Sequence, residues 1–190
     1  MRSTLAVLLA LSFGAGPAPH WPRGATIRVW VDARNAPLSA VMLVQRAMRS
    51  WTDAAAGRLT LETVARPDAA DIRVRFLGSD SVYGETRPRV DPTGTIVEAE
   101  VLINRDTPDD PLFARIVVYL TALHELGHAL GLEHTDDFGT IMYRFRRPDD
   151  GARYFGAYRQ RLHTLDDVGS AAATGLAPSD VAALRSLYDR

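Results

Sequence analysis

Three of the five histidines in this 190-residue chain, His124, His128 and His134, fall within eleven residues, in the run HELGHALGLEH. No other feature restricts the chain as much, because the run requires a helix, a stop and a return. Residues four apart on an α-helix lie about 40° apart around its axis, so His124 and His128 share one face, one turn apart. Two imidazoles placed this way can chelate one ion. Glu125 follows the first of them and reaches toward a water on that ion instead of the ion itself, the position of a general base. Gly131 permits a left-handed or otherwise strained turn, which ends the helix and swings His134 back toward the pair. Three neutral imidazoles leave a tetrahedral zinc ion one position for water, which is the arrangement of a catalytic centre and not of a closed structural one. A lone histidine is usually a satisfied core residue, but five fixed positions at this spacing would arise by chance roughly once in 10⁵ chains of ordinary composition.

Composition removes the competing chemistries. The chain has no cysteine, which excludes disulfides, thiolate zinc sites and a cysteine nucleophile, so any metal must be held by histidines and carboxylates. All 22 basic residues are arginines, set against 23 acidic ones for a net charge of -1, and no nucleic-acid footprint follows from that balance. With 46% hydrophobic and 24% charged residues the chain can bury a core, and its length suits one domain. Residues 1–18 read as a secretory signal peptide: Arg2 precedes an apolar run from Leu5 to Phe13 that is far shorter than the ~20 residues of a membrane span, and small residues follow. A soluble, secreted protein with no stable membrane anchor is expected, with residues 19–190 forming one domain. Nothing in the sequence fixes its oligomeric state.

The remaining pattern is α/β, with strands and helices of an α+β layout. Period-two alternation predicts strands over residues 26–31, 59–64, 72–76 and 96–103, and a short edge strand around Tyr83, Gly84, Glu85 and Thr86 in an otherwise irregular stretch. Val41, Val44, Met48, Trp51 and Ala55 recur at helical steps ahead of Gly57. Asp110 and Pro111 open a second long helix that runs through the histidine motif to Gly131. Residues 144–176 carry no clear period and read as a long loop or insertion, after which Pro178 starts a short final helix. The expected result is a mixed, twisted sheet of about five strands, two long helices and a smaller C-terminal part.

HELGHALGLEH resembles the extended zinc signature of the metzincin metalloproteases, and the segment from Thr140 to Tyr143 resembles their Met-turn. Within that group the chain is similar to the matrixins, on Thr135 after the third histidine, on the strand from Ala70 to Phe76, and on the final helix from Leu176 to Val181. The likeness runs from about Ala25 to Tyr143 and resumes near Pro178. It implies a zincin-like fold and a zinc endopeptidase in which His124, His128 and His134 hold the metal, Glu125 is the base, and Met142 is the apolar floor beneath the ion. Leu120 matches the position that shapes the main specificity pocket, and the segment after Tyr143 would form its far wall. Tyr143 does not stand where some metzincins place a tyrosine ligand, so no fifth ligand is assigned. The cysteine that blocks the metal in animal matrixins has no counterpart, and the segment that holds their second zinc and calcium is missing between Phe76 and Asp106. One catalytic Zn2+ is therefore expected. Calcium is left possible by pairs such as Asp109-Asp110, Asp136-Asp137 and Asp149-Asp150, but no ligand spacing supports it.

The implied reaction is hydrolysis of a protein or peptide substrate by a zinc-activated water, with Glu125 taking and returning the proton. The substrate would lie extended along the edge strand at Tyr83, Gly84 and Glu85. The alternative is a catalytically silent or latent zinc-containing binding domain of the same fold, against which the presence of Glu125 speaks.

Overall fold

The computed structural model of the chain describes residues 18–78 and 82–189, so the leader expected over residues 1–18 lies outside it except for Ala18. β1 (Ala25–Val31), β2 (Leu59–Thr63), β3 (Ile72–Leu77), β4 (Gly84–Val90) and β5 (Ile96–Asn104) form one sheet in the order β2-β1-β3-β5-β4. The first, second, third and fifth strands run parallel, and β4 lies antiparallel to β5 at the edge. The helices are α1 (Ala40–Ala55), α2 (Pro111–Ala129), α3 (Asp150–Arg159) and α4 (Pro178–Tyr188). No helix among the described residues is long and apolar enough to cross a membrane.

The alternation that marked the strands is the alternation of burial. Ile27 and Val29 of β1, Ile72, Val74 and Phe76 of β3, and Ala99, Val101 and Ile103 of β5 are all buried. α1 contributes Leu43, Val44, Ala47, Met48 and Trp51 to the same core, and the Trp51 indole donates to the Leu123 carbonyl at 2.8 Å, which ties α1 to α2. α2 is buried without a break from Ile116 to Gly127, because the sheet, α1 and α3 all pack against it. The Asp110 carboxylate accepts the Phe113 N–H at 2.7 Å, and Pro111 occupies the first turn, so the helix starts as the sequence predicts.

Its other end is fixed more heavily. Gly131 takes φ 95°, with its N–H donating to the His128 carbonyl and the Leu132 N–H donating to the Gly127 carbonyl, the two bonds of a Schellman stop. The Trp21 indole and the Tyr188 hydroxyl then donate to the carbonyls of Ala129 and Leu130, at 2.8 and 2.9 Å. Helix-end carbonyls that would otherwise lack partners are thereby used to anchor both termini of the described chain against the histidine motif.

Two stretches differ from the sequence reading. β4 is longer than the short edge strand expected, and it includes Pro88, which an edge tolerates because the missing N–H costs no bond to a further strand. Residues 144–176 are not a plain loop: α3 forms within them. Gly151, Phe155 and Tyr158 share its buried face at steps of four and three, but a glycine gives no hydrophobic signal, so the period is invisible. The helix is held by packing, with Phe155 edge-on to Tyr83 at 5.0 Å between centroids and Tyr158 stacked on Tyr119 at 6.1 Å.

Candidate metal centre

His124 and His128 project from one face of α2, and the stop at Gly131 returns the chain so that His134 joins them. The three Nε2 atoms lie 3.1 Å from one another in every pair. Nδ1 of His124 is 2.6 Å from the Ile141 carbonyl and Nδ1 of His128 is 2.8 Å from the Leu132 carbonyl. Carbonyls only accept, so the Nδ1 atoms carry the protons and the Nε2 lone pairs of both rings face inward. Converging lone pairs repel unless a cation lies between them. A tetrahedral zinc ion at ~2.0–2.1 Å from each nitrogen would separate them by about 3.3 Å, close to the spacing seen. The cluster can thus coordinate one metal ion, and the donor set fits zinc.

Burial favours the neutral rings that a metal requires. It holds His124 and His128 below the ordinary histidine value, with His128 and His134 adding like-charge repulsion at His124. His134 is pushed down to about 4, chiefly by burial and then by its neighbours His128 and Arg144.

The floor of the site is a turn from Thr140 to Tyr143, closed by the Tyr143 N–H donating to the Thr140 carbonyl. Main-chain bonds from Thr135 N–H to the Met142 carbonyl and from Arg144 N–H to the Thr135 carbonyl clip this turn to the residue after His134. Asp180, buried at the start of α4, accepts the Ile141 N–H at 3.0 Å and so pins the turn from below. Met142 is 2% exposed and lies against the α2 backbone, where a β-carbon on Gly127 would meet its Sδ at 2.5 Å. Its side chain packs against the turn of α2 that carries His124 and His128. The Tyr143 hydroxyl donates to Asp150 at 2.9 Å and is committed there.

Residues 27–156 match the family model described as Matrixin. The chain belongs to the matrixin family. Over 109 residues it is 29% identical to an interstitial collagenase of Oryctolagus cuniculus and 28% identical to those of Sus scrofa and Equus caballus. Each alignment takes in 53% of this chain and 22% of the collagenase, so the matrixin-like part here corresponds to less than a quarter of those proteins.

Glu125 is 1% exposed and sits between α2 and β4. Its Oε2 accepts from the Thr86 hydroxyl at 2.7 Å, whereas Oε1 is buried with no hydrogen-bond partner. Burial pushes this carboxyl up to about 8, the Thr86 hydrogen bond opposes the shift, and the charge of Glu85 adds to it.

The other residues singled out from the matrixin likeness divide in two. Tyr83 and Leu120 line one apolar cavity of about 20 Å³ together with His124, Glu125, Ile141, Phe145, Tyr154 and Phe155. Gly84 faces α2, where its lack of a side chain admits Glu125: a β-carbon there would stand 2.7 Å from Glu125 Cγ and 2.8 Å from Oε1. Glu85 points the other way and is held by Arg87 in two bonds of 2.8 Å, so it does not reach the cavity. Phe145, from the segment after Tyr143, lines the same cavity, and α3 supplies Tyr154 and Phe155 as well. Sequence reading placed Thr86 on the edge strand beside the substrate and Phe145 in the segment expected beside the pocket, but it gave no individual side-chain role to either, nor to Ile141, Tyr154, Phe155 or Asp180. For Thr86 the signal was available in the two-residue period, which places it on the face of Gly84.

Proposed function

We propose that residues 19–190 form a single catalytic domain and that this matrixin is an exported, zinc-dependent endopeptidase. The observation that carries this reading is the convergence of three Nε2 lone pairs at 3.1 Å, with the Nδ1 proton positions of His124 and His128 fixed by carbonyls. His124, His128 and His134 would hold the ion, whose chemistry when bound is to acidify a water and polarise a carbonyl. Glu125 takes the proton of the attacking water and delivers it to the departing amine. Its buried setting keeps that proton inside the site during the transfer, and burial raises the affinity of the carboxylate for it, which favours the uptake step. The outer edge of β4 is unpaired within the sheet, which supports a peptide lying along it as a further strand.

The cavity beside His124 and Glu125 supports a preference for a small apolar side chain on the residue after the cut. Phe145, Tyr154, Phe155 and Tyr83 occupy the space a larger one would need. The leader-like run from Leu5 to Phe13 supports export.

The test is cleavage mapping by mass spectrometry on a diverse peptide library, comparing zinc-loaded protein, chelated protein and Glu125→Gln. Internal cuts made by the zinc-loaded protein alone, with Glu125→Gln still binding one zinc per chain, are expected. A folded, zinc-loaded wild type that cuts nothing would overturn the peptidase reading in favour of a binding domain.

A further inference from the structure

Gly84 and Thr86 are two residues apart on β4, paired with Ile103 and Val101 of β5, so both face the same side of the sheet. Across from them stand Thr121 and Glu125, four apart on one face of α2. The two periods bring Thr86 Oγ1 to 2.7 Å from Glu125 Oε2 and 2.9 Å from the Glu125 main-chain carbonyl. Gly84 meanwhile lets the carboxylate pack close to β4, since a β-carbon there would stand 2.8 Å from Oε1, the buried carboxylate oxygen with no hydrogen-bond partner. One oxygen is held and the other has no partner.

We propose that Thr86 is a positioning residue for the general base: its hydroxyl fixes the Glu125 carboxylate, at the close approach to β4 that Gly84 allows, so that the opposite, unpartnered oxygen is the one that takes the proton of the attacking water. The proposal rests on the peptidase reading above and adds a residue to it. A threonine hydroxyl carries one proton, and of its two acceptors an ionised carboxylate is the stronger, so the donor goes to Oε2 when Glu125 is charged. The rotation that remains to a glutamate is about its last torsion, which is broad and costs little to turn. Thr86 is buried, so no water replaces its hydroxyl if that is removed. Without the donor the carboxylate turns freely and is aligned in a fraction of encounters. Substrate binding is untouched, because the side chain of Thr86 faces α2 and not the open edge of β4.

Removing the hydroxyl should therefore lower kcat and leave KM unchanged. Thr86→Val, which keeps the shape, is expected to reduce kcat about 10- to 100-fold with KM within about twofold of wild type. Thr86→Ser restores the donor and should return kcat to within about threefold. Gly84→Ala, which puts a methyl against Glu125, should lower kcat as Thr86→Val does. Zinc content is measured on every variant and should stay at one per chain, since none of them alters an imidazole. Crystal structures of wild type and Thr86→Val supply a readout independent of turnover: a single carboxylate orientation in the first and a rotated one in the second. If valine prevents folding, Thr86→Ala takes its place. Unchanged kcat in the fully zinc-loaded Val or Ala variant would overturn the proposal, as would a serine variant as slow as the valine one, which would assign Thr86 to packing. A wild type without peptidase activity would instead overturn the reading beneath it.

Discussion

Gly131 shows how one residue connects backbone geometry to the metal centre. Its φ of 95° is strained for any residue with a side chain, and a β-carbon there would collide with the Pro19 carbonyl. Gly131→Ala should therefore destabilise the protein by at least about 2 kcal/mol, from the backbone conformation and the forced displacement together. Urea unfolding of the zinc-free protein measures this, and a loss under about 0.5 kcal/mol would show that the turn relaxes without cost. The same substitution should weaken zinc binding, because His134 reaches the cluster only through this turn. At this scale the sequence was most legible where function is local in the chain. The i,i+4 spacing of His124 and His128 sets their geometry before any tertiary contact forms. Thr86 was legible only as to its face of the strand: its partner is 39 residues away, and only the packing of β4 on α2 brings the two together.

Among the elements, α3 gives this chain its particular cleft. The sheet, α1, α2 and the closing helix α4 follow periods that survive in the sequence because each buries a wide apolar face. α3 does not, since it buries little besides Phe155 and Tyr158 and carries two glycines and two arginines. Its stability comes from neighbours, among them the Tyr154 hydroxyl donating to the Thr140 carbonyl at 2.7 Å and Arg159 pairing with Asp110 at 2.9 Å. These contacts hold Phe155 in the cavity beside Glu125 and leave about 20 Å³ there. Phe155→Leu removes ring volume but keeps the site apolar, at a cost of about 1–2 kcal/mol. It should shift cleavage toward larger side chains after the cut than the small ones expected of the wild type. Library profiles of the two proteins decide the matter, and identical preferences would mean that α3 does not set the size of this pocket.

For the whole molecule, the buried metal centre makes stability depend on pH in two opposing ways once the metal is chelated. The histidines lie below their ordinary value of 6.5 in the folded state, His134 at about 4, so below pH 6.5 the unfolded chain binds protons that the folded one refuses. Stability falls as pH drops through that range. Glu125 behaves inversely. Its folded value of about 8 lies above the ordinary 4.5, so the folded protein keeps a proton that the unfolded chain has released, and stability falls as pH rises from 4.5 toward 8. Where the windows overlap, between 4.5 and 6.5, three histidines outweigh one carboxyl, and above 6.5 the carboxyl acts alone. The urea midpoint of the chelated protein should therefore peak near pH 6.5 and decline to pH 8. Glu125→Gln has no proton to lose, so its midpoint should stay level over that alkaline interval and exceed wild type at pH 8. Zinc should reverse the wild-type decline, because a cation beside Glu125 favours the charged carboxylate. A chelated wild type that gains stability between pH 6.5 and 8, or a Glu125→Gln variant that declines in parallel with it, would show that the buried carboxyl is not the group that titrates.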